Sequence, residues 1–387
     1  MTDVTRVVLL GPVPPWRSGI ADQTVRLARA MAKLGEPPLV LTFSRMYPRA
    51  LYPGESDRGE GAFPDDVEVL PLLDGFDPLS FRRAAELAAA RGARLAAAAF
   101  WTSVFAPHLS LFLSSHRAEA PDAVRLLLCH NLADHEAGAP RRALARLALR
   151  RADVLAVQNA GDLATARREV PESRAVVVPH PSEPPSCLVP RGEARARLDL
   201  PEGAPVFLFS GLLRPYKGWD VLLEAFAEVR RALPDAILLL AGEPWGEAKA
   251  LASRPAPPGV RLLLRFLPAE ERGLLFDACD AVVCPYRHAT GSGIAADAVA
   301  HGRPVLGSDV PGLSVVVEDG VSGLLVPPGD PRALAGAMLR FVGEGLGPRL
   351  SAGAAALGGR LAPEGHARAI LALGGIEARG GAGAAGC

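Results

Sequence analysis

Val206-Phe-Leu-Phe-Ser210-Gly211-Leu-Leu-Arg214-Pro-Tyr-Lys217-Gly218-Trp-Asp220 and the run that follows it to Leu233 read as a strand, a loop and a helix. The apolar stretch 206–210 suits a buried strand, while Val221, Leu222, Ala225, Phe226 and Val229 recur at helical spacing. An arginine and a lysine three residues apart therefore sit on a loop at the carboxyl end of a strand. In an open α/β sheet that edge is where ligands bind. Two fixed cations there suit a diphosphate, and flanking glycines let a backbone approach it.

Alternation continues on both sides. After residue 204 the strand-like runs are 206–210, 236–241, 260–265, 281–284, 304–307 and 323–326, with helical patterns between most of them. Such alternation predicts a parallel, doubly wound sheet. Upstream, Thr5–Gly11 reads as a strand, residues 20–34 as a helix and 38–42 as a strand, a second Rossmann-like opening without G-x-G-x-x-G. A helix is expected over 79–98, strands over 110–114, 124–129, 153–157 and 175–178, and a helix from Pro140 to about Arg151. The expected class is α/β, with two Rossmann-like doubly wound domains. The N-terminal domain is placed at 1–182, a Pro-rich linker at 183–203 and the C-terminal domain at 204–350, with terminal helices over 351–373. The Gly- and Ala-rich tail 374–387 is expected to be disordered.

Composition bounds the function. Lys+Arg and Asp+Glu are both 42, so the net charge is zero, which argues against a general nucleic-acid binder. The five cysteines form no C-x-x-C pair and are odd in number, against a disulfide framework or structural zinc site. The apolar run near the N-terminus is too short for a signal-peptide core, and no window approaches a membrane span. A cytoplasmic protein is expected.

Three further clusters carry chemistry. Thr290-Gly291-Ser292-Gly293-Ile294 opens a helix, so its amides and the helix dipole favour a phosphate. Asp297, one turn on, is placed to accept from ribose hydroxyls or to be a solvated helix acid. His130 ends the strand 124–129, with His135 and Glu136 just beyond, although the spacing is not that of a metal site. Gly11, Pro14, Ser18 and Gly19 lie on another strand-to-helix loop. Arg142, Arg146 and Arg150 recur every four residues, a stripe that is either solvated or a peripheral contact with the inner membrane face.

Together these segments resemble retaining glycosyltransferases of family 4, the group 1 enzymes similar to glycogen synthase and mannosyltransferases. The resemblance runs over roughly residues 5–370 and rests on the Gly11–Ala21 loop, His130–Glu136, Phe209–Phe226, Leu240–Glu243, Cys284–Tyr286, Gly302–Val305 and Asp319–Asp330. It implies the GT-B architecture, two Rossmann-like domains facing across a cleft. The C-terminal one would hold a nucleotide-sugar donor, and the N-terminal one would hold a sugar, lipid-linked or small-molecule acceptor. The terminal helices would return to the N-terminal domain. By the resemblance Arg214 and Lys217 would bind the donor diphosphate, with Gly19 near it, and His130 would lie near the reacting sugar; by their own positions Gly291, Ser292, Gly293 and Ile294 are expected on the donor, and His135 and Glu136 are acceptor-side candidates. No metal or other cofactor is implied. The sequence departs from the family at its two glutamates, which fall at Ala289 and Asp297. Alternatives are a GT-B sugar-nucleotide epimerase, which would need acid–base groups where Ala289 removes one, and a non-catalytic nucleotide-sugar-binding subunit, which would not need to keep Arg214 and Lys217.

Overall fold

A computed structural model describes residues 5–46, 58–59, 63–132, 139–182, 185 and 188–378. The chain forms two compact units. One comprises the residues up to Pro179 together with those from Pro363 onward; the other is His180–Ala362.

The first unit runs β1 (Val7–Leu10), α1 (Gly19–Lys33), β2 (Leu39–Arg45), β3 (Val69–Asp74), α2 (Pro78–Ala90), β4 (Leu95–Phe100), α3 (Ala106–Glu119), β5 (Val124–Cys129), α4 (Ala139–Leu149), β6 (Val154–Val157), α5 (Ala160–Glu169) and β7 (Arg174–Val177). Its strands form one parallel sheet in the order β3-β2-β1-β4-β5-β6-β7. Both faces are covered, so β1 and β4 are buried at every position and read as continuous apolar runs rather than alternating ones. Ser18 caps α1 by accepting from the Ala21 amide at 3.0 Å.

Two sequence expectations in this unit are corrected. Residues 110–114 are not a strand but the middle of α3, because Leu109, Phe112, Leu113 and His116 share one buried helical face. The helix expected over 79–98 ends at Ala90, and Leu95–Phe100 is a central strand. Gly92, at φ 75°, breaks the alanine run, and small side chains then serve a strand packed on both faces.

The second unit runs α6 (Arg191–Arg197), β8 (Val206–Ser210), α7 (Trp219–Ala232), β9 (Ile237–Ala241), β10 (Val260–Leu263), α8 (Ala269–Ala278), β11 (Ala281–Cys284), α9 (Gly293–Ala300), β12 (Val305–Ser308), α10 (Pro311–Ser314), β13 (Gly323–Val326), α11 (Pro331–Gly343) and α12 (Gly347–Arg360). Its sheet is parallel in the order β10-β9-β8-β11-β12-β13. Strand order reverses between β8 and β11, which makes the loops after these two strands the edges of a ligand crevice.

The expected linker is partly structured. Arg195 on α6 is buried and donates to the carbonyls of Ala278 and Ala204 and, at 2.8 Å, to Asp280. The same Asp280 oxygen accepts from the Val206 amide, so residues 191–204 are fastened to the second unit. Residues 351–360 likewise stay in that unit, where α12 packs on α9. Only α13 (Pro363–Leu373) returns to the first unit, burying Ala367, Ile370 and Leu371 beside α1. Beyond it Ile376 is also buried, so the tail is ordered past Gly374; residues 379–387 lie outside the described set.

Candidate functional site

The loop after β8 owes its shape to its neighbours. The Leu213 amide donates to the Glu243 carbonyl at 2.9 Å, and the Trp245 amide donates back to Leu213 at 3.2 Å. This pairing with the loop after β9 sets the indole of Trp245 against Arg214, with the guanidinium carbon 4.1 Å from the ring centroid. Arg214 Nε is buried without a hydrogen-bond partner, as is Ser210 Oγ at the end of β8. A single 3-10 turn, Pro215–Lys217, then brings Lys217 back over the strand end. Its Nζ lies 2.8 Å from the point where a Cβ on Gly211 would stand, and 5.5 Å from the Tyr286 ring centroid. Gly218 closes the turn at φ 66°, and a Cβ there would lie 2.0 Å from the Pro285 carbonyl oxygen. Glycine is therefore required for the loops after β8 and β11 to meet.

The glycine-rich loop is built from the other side. Ser292 caps α9, accepting from the Ala295 amide at 3.1 Å, and its Oγ lies 3.3 Å from the hydroxyl of fully buried Tyr286. Burial pushes the Tyr286 hydroxyl well above its ordinary pKa, so it remains protonated. Behind the loop, the Gly312 amide donates to the Ala289 carbonyl at 3.0 Å and the Gly291 amide nitrogen packs against Gly312. The Ile294 side chain reaches Gly211, at 3.3 Å from the same Cβ point that Lys217 approaches. Arg214, Lys217 and the start of α9 thus converge on one patch.

Charge distinguishes this patch from an ordinary surface. Arg287, on the loop after β11, is bidentate to Asp220 at 2.9 and 2.6 Å and also donates to the Pro215 carbonyl. The Arg287 hydrogen bonds hold the Asp220 carboxyl below its usual range. Among the described residues, Arg214 and Lys217 pair with no carboxylate. The loop therefore carries one neutralised cation that shapes it and two uncompensated cations beside a helix N-terminus, an anion-binding arrangement. Asp297 sits on α9, 7% exposed, with Arg272 Nη2 of α8 at 4.0 Å. Trp245 and Arg272 were missed from sequence; the signal for Trp245 was its place after β9, the strand next to β8.

In the first unit the Gly11–Gly19 loop follows β1 and the His130 loop follows β5, both at carboxyl strand ends. Gly19 is exposed, and a Cβ there would meet nothing within 4 Å. His130 donates its backbone amide to the Phe100 carbonyl at 2.9 Å, and its Nδ1 lies 3.1 Å from Gln158 Nε2. With the amide donating, the neutral ring carries its proton on Nε2. Beside Gln158, buried Asp162 accepts from Asn159 at 2.8 Å, and burial pushes its carboxyl up to about 6. His135 and Glu136 lie outside the described residues. The Arg stripe of α4 is largely compensated: Arg146 pairs with Glu169 and Arg150 with Glu172, which leaves Arg142 exposed. Among the described residues no group of three His, Cys, Asp or Glu side chains could hold a metal, and no helix is long and apolar enough to cross a membrane.

This architecture is shared with solved structures of two other proteins. Sucrose-phosphate synthase from Thermosynechococcus elongatus matches 95% of this chain and 97% of its own, with a TM-score of 0.73 at 19% identity. Anabaena Alr3699/HepE, solved with UDP and glucose, matches 95% and 98% with a TM-score of 0.71 at 16% identity. The fold is GT-B. Residues 204–344, which contain the whole candidate site of the second unit, match the family described as Glycosyl transferases group 1. A D-inositol 3-phosphate glycosyltransferase of Nocardioides sp. is 38% identical over 182 residues, 42% of this chain and 40% of that protein. The one of Nocardia farcinica is 39% identical over 145 residues, 35% and 32% of the two chains. The chain thus spans about two fifths or less of the length of these curated relatives.

Proposed function

We propose that this protein is a retaining, metal-independent hexosyltransferase that moves a sugar from a nucleoside diphosphate sugar to the hydroxyl of a sugar, lipid-linked or small-molecule acceptor. The observation that carries this is the pair of uncompensated cations, Arg214 and Lys217, beside the N-terminus of α9. As the bond from the anomeric carbon to the diphosphate oxygen breaks, negative charge develops on the leaving oxygen. Arg214, Lys217 and the amides of 291–294 would stabilise it. The acceptor oxygen bonds to the anomeric carbon on the same face, and its proton passes to the departing phosphate. No protein nucleophile is needed, and the buried thiol of Cys284 is unsuited to the role, its pKa pushed up by burial to about 11. His130, oriented by Gln158, is assigned to the sugar side. A UDP-sugar is favoured because HepE was solved with UDP.

A panel of nucleotide sugars, assayed with and without acceptors, tests this. Arg214→Ala and Lys217→Ala should each lower turnover by about 10²-fold or more with the fold intact, and a chelator should leave wild-type turnover unchanged. Wild-type rates in both variants would overturn the assignment.

A further inference from the structure

His180 is the first residue of the second unit and belongs to neither phosphate loop. Its imidazole is buried, and its Nδ1 lies 2.8 Å from the Pro181 carbonyl oxygen. A carbonyl can only accept, so Nδ1 carries the proton. The opposite edge of the ring lies over the first residue of α9: a Cβ on Gly293 would stand 3.3 Å from both Cε1 and Nε2. That distance is tighter than an ordinary van der Waals contact, so the ring fills the space a side chain at 293 would need. The ring is also well anchored. Two residues on, the Ser182 amide donates to the Leu361 carbonyl at 2.8 Å, and its hydroxyl donates to Gly358 at 3.1 Å. On the other side, the Pro179 carbonyl accepts from His366 Nδ1 at 3.0 Å, within the first unit.

We propose that His180 is a positioning residue for the donor site: its ring is a wedge that sets where the first turn of α9, and hence the N–H groups of residues 291–294, sits relative to Arg214 and Lys217. The proposal rests on the reading that these groups bind the donor diphosphate. The physical reason is steric. Ser292 and Tyr286 hold α9 from the strand side, Gly312 backs the loop, and the His180 ring stands against the first residue of the helix. A displacement of the helix start by a fraction of an ångström lengthens several phosphate hydrogen bonds together. It follows that a methyl at position 293 is opposed by the His180 ring, and that His180 acts on nucleotide binding by setting the helix start.

The test is a double-mutant cycle on the full chain, with UDP affinity read by calorimetry and folding by thermal melting. His180→Ala and Gly293→Ala should each weaken UDP binding about tenfold, the scale of one lost hydrogen bond. In the His180→Ala background Gly293→Ala should cost less than about threefold, because the ring that opposed the methyl is gone. Additive losses, or wild-type affinity in His180→Ala, would overturn the proposal. Should His180→Ala fail to fold, His180→Asn, which keeps a donor for Pro181 and withdraws the ring, takes its place in the cycle. Arg214→Ala is the control: UDP affinity lost there with an additive cycle refutes the wedge alone, whereas affinity retained there refutes the donor-site reading itself.

Discussion

Arg214 is held by an aromatic face rather than by an acid, and this choice matters for binding an anion. A carboxylate partner would have to be displaced before phosphate could bind, whereas the Trp245 ring leaves the guanidinium edge available and contributes about 0.5–2 kcal/mol of its own. Asp297 is the opposite case, a carboxylate close to an arginine, with Arg272 Nη2 at 4.0 Å. If Asp297 binds ribose, as its position in the family pattern implies, Asp297→Asn should weaken UDP binding by roughly 1–3 kcal/mol while inorganic diphosphate binds as before. Equal loss for both ligands would show that the residue acts on the phosphate side or on the helix instead.

At the scale of elements, α3 carries a defect with a measurable signature. His116 is wholly buried, stacked on Phe112 at 5.7 Å, and neither ring nitrogen has a partner. Burial, aided by nearby Arg125, pushes its pKa down to about 4. The folded state therefore resists protonation that the unfolded chain accepts near 6.5. The stability this histidine leaves intact above pH 6.5 is lost as pH falls toward 4, by roughly 3 kcal/mol in all. His116→Leu should abolish that component and raise stability at neutral pH by about 1–3 kcal/mol, since an unpaired buried polar group is removed. Urea denaturation at pH 7 and pH 4.5 measures both. An unchanged pH slope in the variant would assign the acid sensitivity elsewhere. On α4, Glu169 and Glu172 neutralise two of the three stripe arginines. The expected result with acidic vesicles is thus no salt-sensitive binding; retention at low salt and release at high salt would restore the membrane reading.

The whole molecule is asymmetric in its connectivity. The second unit is a single uninterrupted segment, His180–Ala362, with its own sheet and apolar layers on both faces. The first unit needs α13 from the far end of the chain, which buries Ile370 and Leu371 at about 1.5–3 kcal/mol each. A fragment of residues 180–362 should therefore fold cooperatively and bind UDP. At 100 times the dissociation constant, UDP should stabilise it by about 2.7 kcal/mol. A fragment ending at residue 179 should be markedly less stable than the same unit in the intact chain. Failure of the 180–362 fragment to fold would mean that the second unit depends on the first for its stability.

The two sheets, their parallel sense and the place of the candidate loops at the carboxyl ends of β8 and β11 were legible in the sequence. Strand–loop–helix alternation is a local pattern, and Arg214, Lys217 and Gly291–Gly293 lie within the elements that announce them. Local pattern failed where burial overrode it. The alanine run at 96–99 looks helical but fills a central strand, and Leu-Phe-Leu at 111–113 looks like a strand but faces a helical core. What only the tertiary structure decided are contacts between residues distant in the chain. Trp245 reaches Arg214 because β9 lies beside β8, Arg195 reaches Asp280 across 85 residues, and His180 reaches Gly293 because the chain passes the start of α9 as it enters the second unit. Sequence sets which groups are available within each element; which cation is left without a counter-ion is settled by packing, since a counter-ion can come from any part of the chain.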